Sequence, residues 1–518
     1  MNFLNPSILT RNIFHLFIAF ALSHTLSSQI LPNRYEDQIF VSVIETQGVR
    51  FSTNVPQPKV NWFHPYVFLS GLPVVVFEDD FNYVNLEMDV FEPQGDTMEV
   101  RPLVIVAFGG GFVDDTRKDW DIRLLCENLA RRGYVTASID YRLGMNVLDE
   151  ELSKRAVYRG VQDARSAVRF FKQDASNNNT FRVDTNQIFL GGHSSGGFIA
   201  LHTAYIDKDS ERPRSTKDSV DMTGQTIYEE MGCLDCVGNN PEYVGDVKAI
   251  FNLAGAIGDT LYMESSSDLP VISFHSEDDD TVPYDVGEPF DNVPLVSFNL
   301  PLVMGSSPTH RYADQLGIIN EFYSYTNLGH SIHHNGISLY PYIVPNISNF
   351  FYEHCLKPED LSITGNQVFC TTDNIQNYQA IGGNPKYYDW EVTGGSILSP
   401  SIYSSSTEVG WDPSAPLHEL KVTPYSSNGA GGNQISMSIN VTSGNQVEWT
   451  TASGDWNDEN NWNLNRMPLS CDDVLINSAV AMDVLVLPGT TIEVKSLTLQ
   501  GPINLDITSS STFIINND

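Results

Sequence analysis

The stretch from Ile188 to His202 constrains this chain more than any other. A short apolar run, Ile188-Phe189-Leu190, leads into Gly192-His193-Ser194-Ser195-Gly196, and a helix-like segment, Gly197 to His202, follows at once. A strand that passes into a helix this tightly leaves room only for small residues two positions before and two after the apex. The turn pushes the apex hydroxyl out at the C-terminal end of the strand, over the positive end of a helix dipole. Ser195 is the rival hydroxyl; the glycine spacing selects Ser194.

Strand-like and helix-like segments alternate around this turn from residue 35 to residue 355. Leu86–Phe91, Leu103–Phe108, Tyr134–Ile139, Ala249–Leu253, Val271–Phe274 and Glu321–Tyr325 read as strands. Ile122, Leu125, Cys126 and Leu129 mark one helix face, and Val161, Ala164, Ala167, Val168 and Phe171 mark another. Such alternation predicts an α/β fold: a mainly parallel central sheet with helices on both faces. The polar, irregular residues 206–246 are a candidate cap over a pocket.

A serine hydroxyl needs a base held by a carboxylate before it becomes a nucleophile. His330 follows a glycine after the strand Glu321–Tyr325, and His333 and His334 are its rivals. Four acids, Glu277, Asp278, Asp279 and Asp280, compete in the loop after Val271–Phe274. Backbone donors for an oxyanion are expected early in the domain, and Phe108-Gly109-Gly110-Gly111-Phe112 follows a strand there. The amides of Gly110 and Gly111, with that of Ser195, are the candidate donors. Phe108, Phe112 and His193 are candidate pocket residues.

Together these segments resemble the α/β-hydrolase superfamily, in its carboxylesterase and lipase group. Phe108-Gly109-Gly110-Gly111 is similar to an H-G-G-G oxyanion motif, and Asp140-Tyr141-Arg142-Leu143-Gly144 to a Y-R-L-G segment. His275 to Pro283 is similar to H-G-T-x-D-x-x-V-P, and the resemblance places the catalytic acid at Asp279. Gly329-His330 is similar to the family's G-H pair. The resemblance implies an acyl-transfer mechanism with Ser194, Asp279 and His330, needing no metal or cofactor. Phe108 stands where the family usually has a histidine that braces the oxyanion loop, which puts the loop geometry in question.

Composition fixes the surroundings. With 41% hydrophobic residues in 518, a large core can form, and 64 acidic against 29 basic side chains give a net charge of −35. Such a chain repels nucleic acid and anionic lipid. Arg11, the apolar run Ile13–Leu22 and the small polar stretch Ser23–Ser28 read as an export signal over residues 1–28, too short to span a bilayer. The expected product is secreted. Cys233 and Cys236 read as a small loop disulfide or two thiols rather than a zinc site, since no second such pair lies nearby. Cys355 and Cys370 are expected to pair, and Cys126 to be a buried thiol.

The expected division is a catalytic domain over 29–358, a β-sandwich over 366–445 and a β-rich module over 446–518. Tyr387 to Gly395, with Val409-Gly410-Trp411, resembles PKD-like immunoglobulin-type modules. The segment from Gly454 to Leu499 resembles β-rich repeats of large bacterial surface proteins. Trp456 and Trp462 are read as structural aromatics, with sugar stacking as the alternative. The chain stops at Asp518 with no recognisable sorting tail, so an incomplete C-terminus is expected. The function expected is a secreted esterase acting on small or polymer-linked esters, with a polysaccharide or polyester engaged through the β modules. A catalytically silent adhesion protein and a prolyl-peptidase-like hydrolase are the alternatives.

Overall fold

The computed structural model describes residues 31–65, 78, 80–220, 226–333 and 340–516. The expected export signal and His334 lie outside the described residues. The chain divides into two compact units: one runs to Lys357 and includes Ser427–Gly431, and the other holds Pro358–Ser426 and Gly432–Asp518.

The first unit is built on an eight-stranded sheet. Its strands are β1 (Val43–Pro58), β2 (Phe81–Pro93), β3 (Arg101–Ala107), β4 (Val135–Ile139), β5 (Val183–His193), β6 (Ala249–Leu253), β7 (Val271–Ser276) and β8 (Asn320–Tyr325). Their spatial order is β1-β2-β4-β3-β5-β6-β7-β8. The pairs β1–β2 and β2–β4 are antiparallel, and every pairing from β4 to β8 is parallel. All residues of β3, β4, β6 and β7 are buried, as a sheet covered on both faces requires. The intervening helices are α1 (Trp120–Ala130), α2 (Glu150–Asn177), α3 (Ser195–Tyr205), α4 (Ser306–Leu316) and α5 (Tyr340–Phe351).

Helix α2 is far longer than the apolar stripe at 161–171 suggests. Asp149 caps it by accepting a hydrogen bond from Leu152 N at 2.9 Å. Its buried face carries arginines, and each finds an anion. Arg155 and Arg159 share Glu78, whose carboxyl they hold low against the opposing effect of burial. Arg165 and Arg169 share Asp235 at 2.6 and 2.8 Å. Asp235 sits in the loop that the Cys233–Cys236 disulfide closes. Gln162 and Tyr158 add hydrogen bonds to the carbonyls of Met231 and Gly232. The irregular segment after α3 is thus fastened along α2 through polar contacts.

The second unit has two cores. In one, the antiparallel sheet of Ser362–Thr364, Ile375–Ile381, Ser406–Trp411 and Gly395–Ile397 and the antiparallel sheet of Tyr387–Thr393, Glu419–Tyr425 and Ile435–Ser438 enclose Tyr378, Trp390, Trp411 and Val422. This is sandwich architecture. The other is a stack of parallel ladders: Asp473–Asn477 on Ser496–Gln500, Met482–Val486 on Ile503–Ile507, and Thr491–Val494 on Thr512–Ile515. Such a coil leaves its core on the inside, and Trp456 and Trp462 are each 1% exposed within it. Sugar stacking on these two rings is therefore ruled out.

The pairing expected for Cys355 is corrected. Cys370 bonds to Cys471, while Cys355 remains a thiol, as does the buried Cys126. Cys355 packs against the core of the first unit, whereas Cys370 lies in a strand of the second. The Cys370–Cys471 bridge spans 101 residues, and closing so long a loop removes much denatured-state entropy. Cys471→Ser should destabilise the second unit by about 2–4 kcal/mol, read as a lower denaturant midpoint in tryptophan fluorescence. An unchanged midpoint would mean that the two cores hold without the bridge.

Candidate active site

Four loops meet at the C-terminal ends of the parallel strands, the usual place for a site in an open α/β sheet. Gly109–Gly111 follows β3, Ser194 follows β5, Asp279 follows β7 and His330 follows β8. Ser194 has φ 54° and ψ −117°, a strained conformation for a residue with a side chain. Packing around the turn imposes it. A Cβ on Gly192 would stand 2.3 Å from the carbonyl oxygen of Ala107, and one on Gly196 would stand 2.1 Å from it. The Ser194 amide donates to Leu253 O at 2.8 Å, which ties the apex to β6.

The Ser194 hydroxyl donates to His330 Nε2 at 2.9 Å, and His330 Nδ1–H donates to Asp279 Oδ2 at 2.8 Å. The other oxygen of Asp279 accepts the amides of Thr281 and Val282, both at 2.9 Å. Burial alone would raise the Asp279 carboxyl, but hydrogen bonds from His275 and His330 hold it far below the usual carboxylate range. The rivals are used elsewhere. Asp278 accepts from Ser276 and the amide of Leu328, Asp280 from Asn292, and Glu277 from Ser324. His333 lies 2.9 Å from Asp121. Ser195 is 2% exposed, and its hydroxyl meets that of Tyr141 at 3.0 Å.

His275 is a contributor that the sequence reading did not single out. Its role follows from a chain of donors. Asn252 Oδ1 accepts the amide of Gly255 at 2.8 Å, which fixes the side-chain amide so that Nδ2 donates to Ser306 Oγ at 3.2 Å. Ser306 then donates to His275 Nδ1 at 2.9 Å. His275 Nε2 therefore carries the ring proton and shares it between Asp279 Oδ2 at 3.1 Å and Val282 O at 3.2 Å. Asn252, Ser306 and His275 are buried, as is the side chain of Asp279. The motif at His275–Pro283 was the available signal, but nothing in the sequence joins Asn252 and Ser306 to it.

The glycine loop is braced by Tyr141. Its hydroxyl reaches Gly109 O at 2.6 Å and Phe108 O at 3.1 Å, and its ring stacks on Phe108 with centroids 4.3 Å apart. Burial pushes the phenol well above its ordinary range, so it stays a donor. Gly110 and Gly111 have φ of 88° and 61°, conformations that favour glycine. Among the described residues, none accepts a hydrogen bond from the amides of Gly110, Gly111 or Ser195.

Two cavities open on Ser194. The larger, ≈ 680 Å³, is lined by Phe112, Val157, Val161 and Phe198 and also by charged residues that include Glu150, Glu151, Lys154, Arg214, Asp259 and Glu288. The segment 206–246 contributes Ile206, Pro213 and Arg214 to it. The smaller, ≈ 510 Å³, is lined by Gly109–Gly111, Asp114, Trp120, Asp121, His193 and His330. Gly111, Ser194 and Phe290 line both. Of the three expected pocket residues, Phe112 faces the larger cavity and His193 the smaller. Phe108 faces neither, because Tyr141 covers it. Burial first, and then the neighbouring His333 and His330, lower the His193 ring far below its ordinary value, so it is neutral.

Residues 88–292 match the BD-FAE family model, an α/β-hydrolase-type esterase family. Over 147 residues the chain is 29% identical to the neuroligin-like protein glit-1 of Caenorhabditis elegans, covering 27% of this chain and 17% of that protein. Over 145 residues it is 28% identical to the non-reducing polyketide synthase atr1 of Stereocaulon alpinum, covering 27% of this chain and 5% of that protein. The chain thus spans less than a fifth of either curated relative. Among solved structures, it is similar to an esterase of the planctomycete Thermogutta terrifontis, with 20% identity and a TM-score of 0.35 over 52% of this chain and 88% of that one. It is also similar to a truncated carbohydrate esterase from gut microbiota, with 14% identity and a TM-score of 0.38 over 61% of this chain and 97% of that one.

Tyr141→Phe keeps the ring on Phe108 and deletes only the hydroxyl. In ester hydrolysis its kcat should fall by about tenfold with KM little changed, less than the 10²–10³ that loss of a direct oxyanion donor costs. An unaltered kcat would show that the glycine loop holds its shape without Tyr141.

Proposed function

We propose that this protein is a secreted serine carboxylic-ester hydrolase that works through an acyl-enzyme. The observation that carries the reading is the unbroken chain of hydrogen bonds from Ser194 through His330 to Asp279. In the first step His330 Nε2 takes the Ser194 proton while Oγ attacks the ester carbonyl. Asp279, ionised and fixed by two backbone amides and His275, stabilises the imidazolium and keeps its ring aligned. The amides of Gly110, Gly111 and Ser195 receive the oxyanion, each contributing about 3 kcal/mol to the transition state. The imidazolium returns its proton to the leaving alcohol. Water activated by His330 then releases the acid and restores Ser194.

The two cavities divide the substrate between them. The leaving oxygen must lie beside His330 to be protonated, and His330 lines the smaller cavity but not the larger. The alcohol half therefore occupies the smaller cavity and the acyl half the larger one, against Phe112, Val157, Val161 and Phe198. Export is supported by the Arg11–Ser28 sequence and by two disulfides, which persist in oxidising compartments. No helix among the described residues is long and apolar enough to cross a membrane. The sandwich and the parallel coil that the chain carries besides its hydrolase unit support a polymeric substrate.

Ser194→Ala should lower kcat on p-nitrophenyl esters by about 10⁴-fold or more, while Ser195→Ala keeps most of it, and a fluorophosphonate should label Ser194. Equal rates for wild type and Ser194→Ala, or a label on Ser195, would overturn the assignment. Val157→Trp narrows the larger cavity. It should cut kcat/KM for hexanoate more than about tenfold relative to acetate, and equal losses for both would move the acyl group elsewhere.

A further inference from the structure

Asp121, His193 and His333 form a second cluster beside the nucleophile, and the ester mechanism uses none of them as acid, base or nucleophile. They come from three segments: the first turn of α1, the end of β5 and the loop after β8. All three are buried, at 6%, 8% and 2% exposure. One ligand atom from each lies within 4.8 Å of the others. His333 Nε2 and Asp121 Oδ2 stand 2.9 Å apart, and the His193 and His333 rings have centroids 4.2 Å apart.

Two imidazoles and a carboxylate make a borderline nitrogen and oxygen donor set, the kind that suits zinc and its neighbours rather than calcium or magnesium. Ligand atoms around a tetrahedral ion at about 2.0–2.1 Å stand roughly 3.3 Å apart, so the His333–Asp121 pair at 2.9 Å must open slightly and the other edges of the cluster, at most 4.8 Å, must settle to the same spacing. The ion would take the place of the proton now shared by His333 and Asp121. His193 also donates Nε2–H to the carbonyl of His330 at 3.3 Å, the type of backbone anchor that ligating imidazoles carry on their second nitrogen. Access comes from the smaller cavity, which Asp121 and His193 both line, and that opening leaves a coordination position for water.

The same contacts couple the cluster to catalysis. His193 precedes Ser194 and holds the His330 carbonyl, and His333 lies three residues beyond His330. Rearrangement around an ion acts on both ends of the segment from His330 to His333. We propose that Asp121, His193 and His333 form an inhibitory site for a divalent cation of the zinc class, whose binding shifts His330 out of line with Ser194. The inhibitory half rests on the ester-hydrolase reading above; the binding half does not.

The test uses the full chain, freed of metal with EDTA. Co²⁺, followed by visible absorption, and Zn²⁺, followed by calorimetry, should each titrate one site per chain. Hydrolysis of p-nitrophenyl acetate should fall in step with occupancy and return when EDTA is added. Asp121→Asn and His333→Gln should each weaken Zn²⁺ binding more than about 100-fold, beyond the roughly 10–100-fold that loss of an indirect partner of a metal costs. Inhibition is compared with the metal-free rate of each variant, so a slower variant is no obstacle. A wild-type protein without a Co²⁺ d–d band overturns the site whatever the variants do. Variants that bind and are inhibited as tightly as wild type also overturn it, since the ion then sits elsewhere, as on His330. A band that depends on the cluster but leaves hydrolysis unchanged overturns the inhibitory half. A wild type that binds Co²⁺ but hydrolyses no ester condemns the hydrolase reading and leaves the site standing.

Discussion

The carbonyl of Ala107, at the end of β3, approaches the turn after β5 so closely that only glycine fits at positions 192 and 196. Much of the site depends on that approach. It holds Ser194 in a conformation that costs of order 1–3 kcal/mol and so keeps its hydroxyl clear of the sheet. It also brings the loop after β3 beside the start of α3, where a Cβ on Gly196 would stand 2.9 Å from the carbonyl oxygen of Phe108. The strain at the apex is borne by the register of β3 on β5, in which Ala107 pairs with Gly192. The Ser194 turn and the placement of the glycine loop are therefore two consequences of one strand pairing.

Polar groups, rather than apolar packing, set the finer alignment. Burial would favour the protonated form of Asp279, yet two imidazoles and two amides converge on it and reverse the balance. The amide of Asn252 sends its orientation through Ser306 and His275 to the same carboxylate. Tyr141 performs a similar task for the glycine loop, with one hydroxyl meeting two carbonyls and Ser195. This answers the question that Phe108 raises. The bracing that a histidine provides elsewhere is supplied here from β4's end, and Phe108 serves as the surface on which the tyrosine ring lies.

The parts legible in the sequence are those governed by local rules. The turn at Gly192–Gly196 and the buried strands Leu103–Phe108 and Ala249–Leu253 follow from short-range sterics and apolar runs. Helix α2 was only half legible because Arg155, Arg159, Arg165 and Arg169 occupy its buried face and hide the apolar period. Strand β1 was missed because bulges break its alternation: its register shifts at three places. Cys370 has one partner in space and several in sequence, and local spacing favoured the wrong one. The parallel ladders of the C-terminal coil carry the same alternation as an antiparallel hairpin, so composition alone cannot distinguish them. Asp279 was chosen among four neighbours by resemblance; the geometry that sets it apart is the reach of His330, which no local pattern encodes.

His193 shows how tightly the roles in this site are joined. It occupies the variable position of the turn, where the elbow geometry demands nothing of the side chain, yet its ring packs against those of His330 and His333. A small residue there would satisfy the elbow equally well. The imidazole instead makes the strand that presents Ser194 also hold the backbone of His330, through its carbonyl. Ser194 and His330 are thus linked twice, once through their reacting atoms and once through His193. The second link lets a change at Asp121 or His333 reach the base without touching the serine. A site built this way can be aligned from β5 and disturbed from α1, where Asp121 of the proposed cation cluster lies.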